Sequence, residues 1–373
     1  MTKTPSFCPN RDCPGHQETN ANRGWFRKDG TYSCELSGKV QRYVCKLCGK
    51  RFSAKSFSLS YYLKKNGHFK YVFNKVKGCA GIRDIGRDIE MSPASVLLRL
   101  TRLARQSLSV NASLRDKIVL NEDLAADGFE SFAVSQYFPN NIHVLAGKES
   151  QYIYGFDYAH LRRKGRMSDK QKIKNFGLQS RFLFPTSVSA SFHDLCHTLS
   201  DLTRNGGRPA FTLYTDKKKE YAAVLKNYPF PVKINHIAVS GKLPRTRHND
   251  LFSVNYLDRE FRKDCAEHVR ETTRFARNVN NCMERMAIYR LYHNYIKPYR
   301  INREAGVLKD RTHASVAGLP AWAVKKELSG FFTERRFLAR GQGIGKEEAF
   351  TWLRCWITPL KQGYEDVPIY AAA

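Results

Sequence analysis

The chain has 373 residues, 42% of them hydrophobic, with 63 lysines and arginines against 34 aspartates and glutamates and a formal net charge of +29. That length allows two or three domains around real cores, and no stretch approaches the roughly 20 apolar residues of a membrane span, so a membrane partner is not expected. Positive charge spread from Lys3 to Lys361 repels itself and calls for a polyanion, nucleic acid first.

The opening residues, Met1-Thr-Lys-Thr-Pro-Ser6, contain no apolar signal core, so a cytoplasmic location is expected. In that reducing setting the ten cysteines are metal ligands or buried thiols rather than a disulfide framework. Half of them precede residue 55. Cys8-Pro-Asn-Arg-Asp-Cys13 and Cys45-Lys-Leu-Cys48-Gly-Lys-Arg-Phe52 form two knuckles, each presenting a thiolate pair from a tight turn. Two such pairs suit the tetrahedral preference of zinc, and Cys34 or His16 could stand in for one ligand. A redox dithiol would open a helix in an α/β domain, whereas this one closes a small polar module. Residues 1–56 are therefore read as a zinc-binding module.

Residues 57–112 are read as a helix-turn-helix domain. Phe69, Val72, Phe73 and Val76 recur at helical spacing within residues 58–77, and Gly78 ends that run. Ile82, Ile85 and Ile89 mark one face of a short second helix, followed by a turn at Glu90-Met91. Ser92-Pro93 is a cap and an N1 proline, which predicts a helix through about Gln106. Leu97, Leu100 and Ala104 point inward on it, while Arg99, Arg102 and Arg105 recur on the other side. An arginine row is ordinarily a solvated face. Beside a zinc module in so basic a chain it is expected to enter a major groove, with Ser95, Arg99, Arg102 and Arg105 as the DNA-contacting residues.

From Lys117 the pattern changes to strands. Residues 118–120 lead to Ala125-Ala-Asp127-Gly-Phe129, residues 151–156 read as another strand, and residues 180–184 as a third. Residues 187–204 are helical in pattern. The stretch Phe211-Thr-Leu-Tyr-Thr-Asp216 reads as a strand ending on a carboxylate, followed by a helical segment over 217–225 and a strand over 232–239. Residues 254–295 are predicted helical, broken near 278–281. This order suits a mixed sheet with helices on its faces, spanning residues 117–300. Residues 301–373 are read as a basic C-terminal tail, in which the glycines at 341–345 form a turn rather than a nucleotide site.

An acid at a strand mouth is costly unless solvated, paired or metal-bound. Asp216 could simply cap the next helix, but Asp127 sits at a second strand end and a third acid lies on Tyr256-Leu-Asp258-Arg-Glu260-Phe261. Three converging carboxylates can hold two divalent cations about 4 Å apart for phosphodiester chemistry. Hard oxygen donors without a histidine cluster suit Mg²⁺. With Leu257, Phe261, Thr272 and Phe275 as the buried stripe, Asp258 lies nearer its centre than Glu260. Asp127, Asp216 and Asp258 are thus the expected magnesium ligands, with Glu260 the alternative third acid. Glu284 and Asn255 come after it.

On these residues the chain resembles bacterial insertion-sequence transposases of the compact DDE/DDD type. The resemblance rests on the paired knuckles, the helix-turn-helix, Asp127-Gly-Phe-Glu130, Leu213-Tyr-Thr-Asp216, Val254-Asn-Tyr-Leu-Asp258-Arg259, and Phe275-Ala-Arg-Asn-Val-Asn-Asn281 with His293-Asn-Tyr-Ile296. It covers roughly residues 5–300. It implies an RNase H-like catalytic domain and Mg²⁺-dependent strand cleavage and transfer, with Mn²⁺ able to substitute. It also implies binding of double-stranded DNA at terminal inverted repeats and at a target, by an oligomer of the chain. Leu257-Asp258-Arg259 fits the apolar-acid-arginine triplet of the family with Asp in place of Glu, and the distance from Asp216 is longer than in the most compact members. A DNA-binding regulator with an inactive catalytic domain is the competing expectation. An RNA-processing nuclease would share the sheet but would not need the helix-turn-helix.

Overall fold

A computed structural model describes residues 4–17, 24–269, 273–299, 311–338 and 344–360. The N-terminal part holds a one-turn helix α1 (Pro14–Gln17) and an antiparallel sheet of β1 (Phe26–Cys34), β2 (Gly38–Cys45) and β3 (Arg51–Ser53). Its core is small. Trp25, Tyr43 and Phe52 pack together beside Cys8, Cys13 and Cys45.

Three helices follow: α2 (Phe69–Val76), α3 (Ile82–Asp88) and α4 (Pro93–Arg115). The expected helix over 58–77 shrinks to α2, whose Phe69, Val72, Phe73 and Val76 are buried as their spacing requires. Helix α4 starts where Ser92 and Pro93 place it, the Ser92 Oγ accepting from the Ser95 N–H. It runs on to Arg115 instead of stopping near Gln106. The reason is tertiary. From Arg99 onward nearly every residue of α4 is buried, because other elements cover it on all sides, and its polar residues find partners there.

A five-stranded mixed sheet comes next, built from β4 (Leu124–Phe132), β5 (Pro139–Gly147), β6 (Ile153–His160), β7 (Ala210–Asp216) and β8 (Lys233–Val239). The spatial order is β6-β5-β4-β7-β8, with β4, β5 and β6 an antiparallel meander and β7 and β8 parallel to β4. The connecting helices are α5 (Asp169–Gln179), α6 (Val188–Arg204), α7 (Lys219–Asn227), α8 (Phe252–Asp264) and α9 (Val279–Tyr295). Period-two alternation sorts the faces. Leu124, Ala126, Phe211 and Leu213 join the core under α6 and α7, while Ala125, Phe129 and Val144 join the core with Val254, Leu257 and Phe261 of α8. The molecule is thus mixed α/β, a mixed sheet flanked by helices with a cysteine cluster near its N-terminus.

Several expectations need correction. Strand β5 was not legible, because Pro139-Asn-Asn resembles a turn; its polar residues are buried, with Asn141 Nδ2 meeting His143 Nε2 and His143 Nδ1 meeting Ser191 Oγ, each at 2.8 Å. Residues 118–120 and 180–184 form no strand, and helix α5 occupies 169–179 instead. The helical stretch over 254–295 is interrupted from Cys265 to Asn278, which is longer than foreseen and leaves Phe275 outside any helix; Thr272 lies outside the described residues.

The supposed tail is also corrected. Helices α10 (His313–Val316), α11 (Ala321–Leu328) and α12 (Lys346–Leu353) belong to the core, where Leu319, Ala323 and Trp356 are buried. Ion pairs fasten them: Arg290 of α9 bonds Glu347 at 3.1 Å and Glu348 at 2.9 Å, and Arg354 bonds Glu284 at 2.5 Å. Of the glycine run, residues 341–343 lie outside the described residues, and Gly345 is the N-cap of α12. Among the described residues no helix is long and apolar enough to cross a membrane.

Both members of the Arg354–Glu284 pair are buried, so removing one partner leaves an uncompensated charge. Arg354→Ala should lower unfolding stability by about 3–5 kcal/mol. Arg354→Leu with Glu284→Leu, which leaves no charge, should recover much of the loss in urea titrations. Equal losses in the single and double variants would count against the pair.

Candidate functional site

Parallel pairing of β4 with β7 sets Ala125 beside Tyr214 and Ala126 beside Thr215, so the next residues along, Asp127 and Asp216, are neighbours on adjacent strands. By alternation both face α8. Asp127 is not at a strand end as its sequence suggests; β4 continues to Phe132. What ends there is β7, whose last residue is Asp216. Gly128 is required at that point because a Cβ on it would lie 2.1 Å from Asn141 Oδ1 of β5. The Gly128 N–H donates to Asp127 Oδ1 at 2.7 Å, and the Lys218 N–H donates to Asp216 Oδ1 at 3.2 Å.

Helix α8 brings the third acid. Val254, Leu257 and Phe261 bury one stripe of it against the sheet, and Asp258, next to Leu257, is close enough to feel the charge of Asp127. Burial first, then the Asp216 charge, push the Asp127 carboxyl up to about 6, against the pull of Lys218, the Gly128 N–H and Arg245. Burial and then Asp127 push Asp258 up to about 7, opposed by Arg262, Arg245 and Lys218. The Asp216 charge thus acts on Asp127, and the Asp127 charge on Asp258.

Glu260 faces elsewhere. It is buried and paired with Lys297, and its Oε2 lies 2.8 Å from Lys263 Nζ. Burial alone would raise its pKa, but these two lysines hold it below the usual range. Glu284 is also remote, bonded to Arg354 and to Thr101 Oγ1. Lys218 is a member of the site that sequence reading passed over. Its Nζ lies 3.5 Å from Asp216 Oδ2 and 3.9 Å from Asp127 Oδ1. The one available signal was the run Lys217-Lys-Lys219 directly after Asp216, which reads more readily as solvated helix start.

The arginine row is corrected outright. Arg99, Arg102 and Arg105 are 4%, 1% and 2% exposed and cannot line a nucleic-acid groove. Arg99 donates to the Ser95 and Asn66 carbonyls, Arg102 to those of Leu59 and Tyr61, and Arg105 to that of Trp352. They tie α4 to neighbouring chain segments. Ser95 is half-buried in the first turn, its N–H and Oγ engaged with Ser92 Oγ.

Cys8, Cys13, Cys45 and Cys48 come together, all four Sγ atoms within 4.8 Å of one another. The Cys8–Cys48 and Cys13–Cys45 separations are both 3.7 Å. Four sulfurs bound at about 2.3 Å to one tetrahedral zinc would stand about 3.8 Å apart, so the cluster could hold a metal such as zinc. Neither proposed substitute is a member. His16 Nδ1 meets the Cys8 carbonyl at 2.7 Å, and Cys34 Sγ accepts from Lys55 Nζ at 3.2 Å. Two groups unforeseen in the sequence, His193-Asp194-His197 and Glu267-His268-Cys282, also lie close together. Asp194 is paired with Lys346 and Glu267 with Arg285.

Compared with protein families, with curated proteins and with solved structures, the chain matches no family profile, no curated protein and no solved structure.

Asp127 and Asp258 titrate in the fold well above the unfolded-chain value of about 3.9. The folded state then holds more protons between about pH 4 and pH 7, so its stability falls as pH rises through that window. Without added divalent cation, the wild-type melting temperature should drop from pH 5 to pH 8 relative to Asp127→Asn and Asp258→Asn. Parallel curves for all three proteins would mean that these acids ionise normally.

Proposed function

We propose that the chain is a DNA transposase that binds the terminal inverted repeats of an insertion sequence and cleaves and transfers DNA strands. The observation that carries this reading is the placement of Asp127 beside Asp216 on adjacent strands, with Asp258 near enough to feel the Asp127 charge. Carboxyl groups pushed up by burial and then by a neighbouring acid, as Asp127 and Asp258 are, mark sites whose charge is completed by something else. The strand order β6-β5-β4-β7-β8, with acids on the first strand, on the fourth and on a following helix, supports an RNase H-like catalytic domain.

The donors are hard carboxylate oxygens with no histidine or thiolate among them, which fits Mg²⁺ or Mn²⁺ rather than a softer metal. Such cations, when bound, activate the attacking hydroxyl and stabilise the leaving oxygen of a phosphodiester. The chain's own contribution is placement. The β4–β7 register fixes Asp127 and Asp216, the Leu257 and Phe261 contacts fix the roll of α8, and the Lys218 ammonium balances charge between the two strand acids. Glu260 holds the local lysines and takes no part in the chemistry. For the cysteine cluster we propose one structural zinc, since the module around it has almost no other core. Double-stranded DNA and further copies of the chain are the proposed partners.

Cleavage of the element's own ends with Mg²⁺ tests the reading. Asp127→Asn, Asp216→Asn and Asp258→Asn should each abolish cleavage while end binding persists, and Glu260→Gln should cleave but melt earlier. Activity in the Asp258→Asn protein together with inactivity in Glu260→Gln would move the third position to Glu260, and activity in all four would remove the site.

Metal analysis should find one zinc per chain. Cys45→Ser should lose it and unfold the N-terminal module, whereas Cys34→Ser should keep both. Stoichiometric zinc in the Cys45→Ser protein would place the metal elsewhere.

A further inference from the structure

Burial of Arg99, Arg102 and Arg105 leaves the basic chain without the DNA-contacting surface its sequence nominates. An open groove elsewhere offers another. It measures about 890 Å³ and runs between the cysteine-bearing module and residues 61–64. Arg11, Arg42, Lys50, Arg51 and Lys64 line it and are exposed, against the acids Asp12 and Glu35. Lys55 staples the two walls, donating to the Leu63 carbonyl at 2.6 Å and to Cys34 Sγ at 3.2 Å.

Two tyrosines stand in the same groove. Tyr32 is 37% exposed and Tyr62 is 74% exposed, between Tyr61 and Leu63, which are buried. Tyr62 has φ of 55°, a left-handed conformation that a bulky residue rarely adopts without being held there. The hold is visible. Arg102 donates to the carbonyls of Leu59 and Tyr61, and the guanidinium groups of Arg102 and Arg335 lie 3.9 Å and 3.7 Å from the Tyr61 ring centre. The buried arginine of α4 thus braces the turn that projects Tyr62 outward.

A rigid exposed aromatic beside a row of cations is the arrangement that binds single strands, the cations following the phosphates while a base stacks on the ring. We propose that this groove takes a single strand of nucleic acid, its phosphates on Arg42, Arg51 and their basic neighbours and one base on the face of Tyr62. The inference deepens the proposed function and rests on its nucleic-acid partner. It assigns to that partner an unpaired strand, as arises at a cleaved or melted end.

The test uses the full zinc-loaded chain, without added Mg²⁺, and anisotropy of a labelled single strand and of the duplex of the same sequence across a salt series. Tyr62→Ala should weaken single-strand binding by roughly five- to a hundredfold with an unchanged salt slope, and Tyr62→Phe should bind as wild type. Arg42→Ala with Arg51→Ala should lower the salt slope by about 1.4, two phosphate contacts at about 0.7 each. The duplex should be far less sensitive to Tyr62→Ala. Unchanged zinc content and melting temperature show that each variant is folded. Wild-type single-strand affinity in Tyr62→Ala, or an equal loss on the duplex, overturns the proposal. Equally tight binding of inorganic polyphosphate does so too, since that would mark a general polyanion groove. If the wild type binds neither strand nor duplex, the transposase reading falls as well; if it binds both and Tyr62 is indifferent, this inference falls alone.

Discussion

Repulsion of Asp127 by Asp216, and of Asp258 by Asp127, is the constraint around which the sheet and its helices are arranged. Lys218 reaches both strand acids, and Arg245 and Arg262 contribute charge from further away, yet Asp127 and Asp258 remain displaced to about 6 and about 7. Holding carboxylates in such a place takes a rigid frame. The antiparallel β4–β5 pairing and the parallel β4–β7 pairing supply it, since a one-residue slip of either strand would turn its acid to the opposite face. Gly128 belongs to the same frame, because only a residue without a Cβ lets Asn141 approach β4.

Helix α4 imposes a second constraint. It is buried over most of its length and must place three guanidinium groups where water cannot reach them. Each finds backbone carbonyls, from residues 59–66, Ser95 or Trp352, so charge on α4 serves to gather segments far apart in the chain. Glu284, Arg290, Glu347, Glu348 and Arg354 do the same between α9 and the C-terminal helices. Buried pairs of this kind add little net stability, but breaking one is costly, which favours a single arrangement of the helices. The helices that resemble a separate DNA-reading unit are consequently continuous with the core under α6 and α7, on the face of the sheet opposite the acids.

The cysteine module follows a different logic. Its apolar core is a few aromatic rings, too little for an independent fold of that size, and the four thiols stand at separations suited to one tetrahedral ion. Its outer face, together with the Tyr62 turn, forms the basic groove. A metal held by the four thiols would therefore steady the module and its outer face together.

Sequence by itself determined the features that depend on spacing along the chain. The two knuckles, the Ser92-Pro93 helix start, the strand ending at Asp216 and the helix expected over residues 187–204 are local patterns, and the structure contains each of them, the last as Val188–Arg204 with Ser187 as its N-cap. The preference for Asp258 over Glu260 came from helical phase; in the structure Glu260 is the more buried of the two and pairs with Lys263 and Lys297, while Asp258 feels the charge of Asp127. Tertiary structure alone decided the rest. A helix with arginines at every third position reads as solvated or DNA-facing until one knows that three other segments bring carbonyls to it. Strand β5 was hidden because Asn140, Asn141 and His143 look like turn residues unless their partners across the sheet are known. Lys218 and the C-terminal helices were missed for the same reason: long-range contacts leave no period in the sequence, so a charge that will be buried and paired is indistinguishable from one that will meet water.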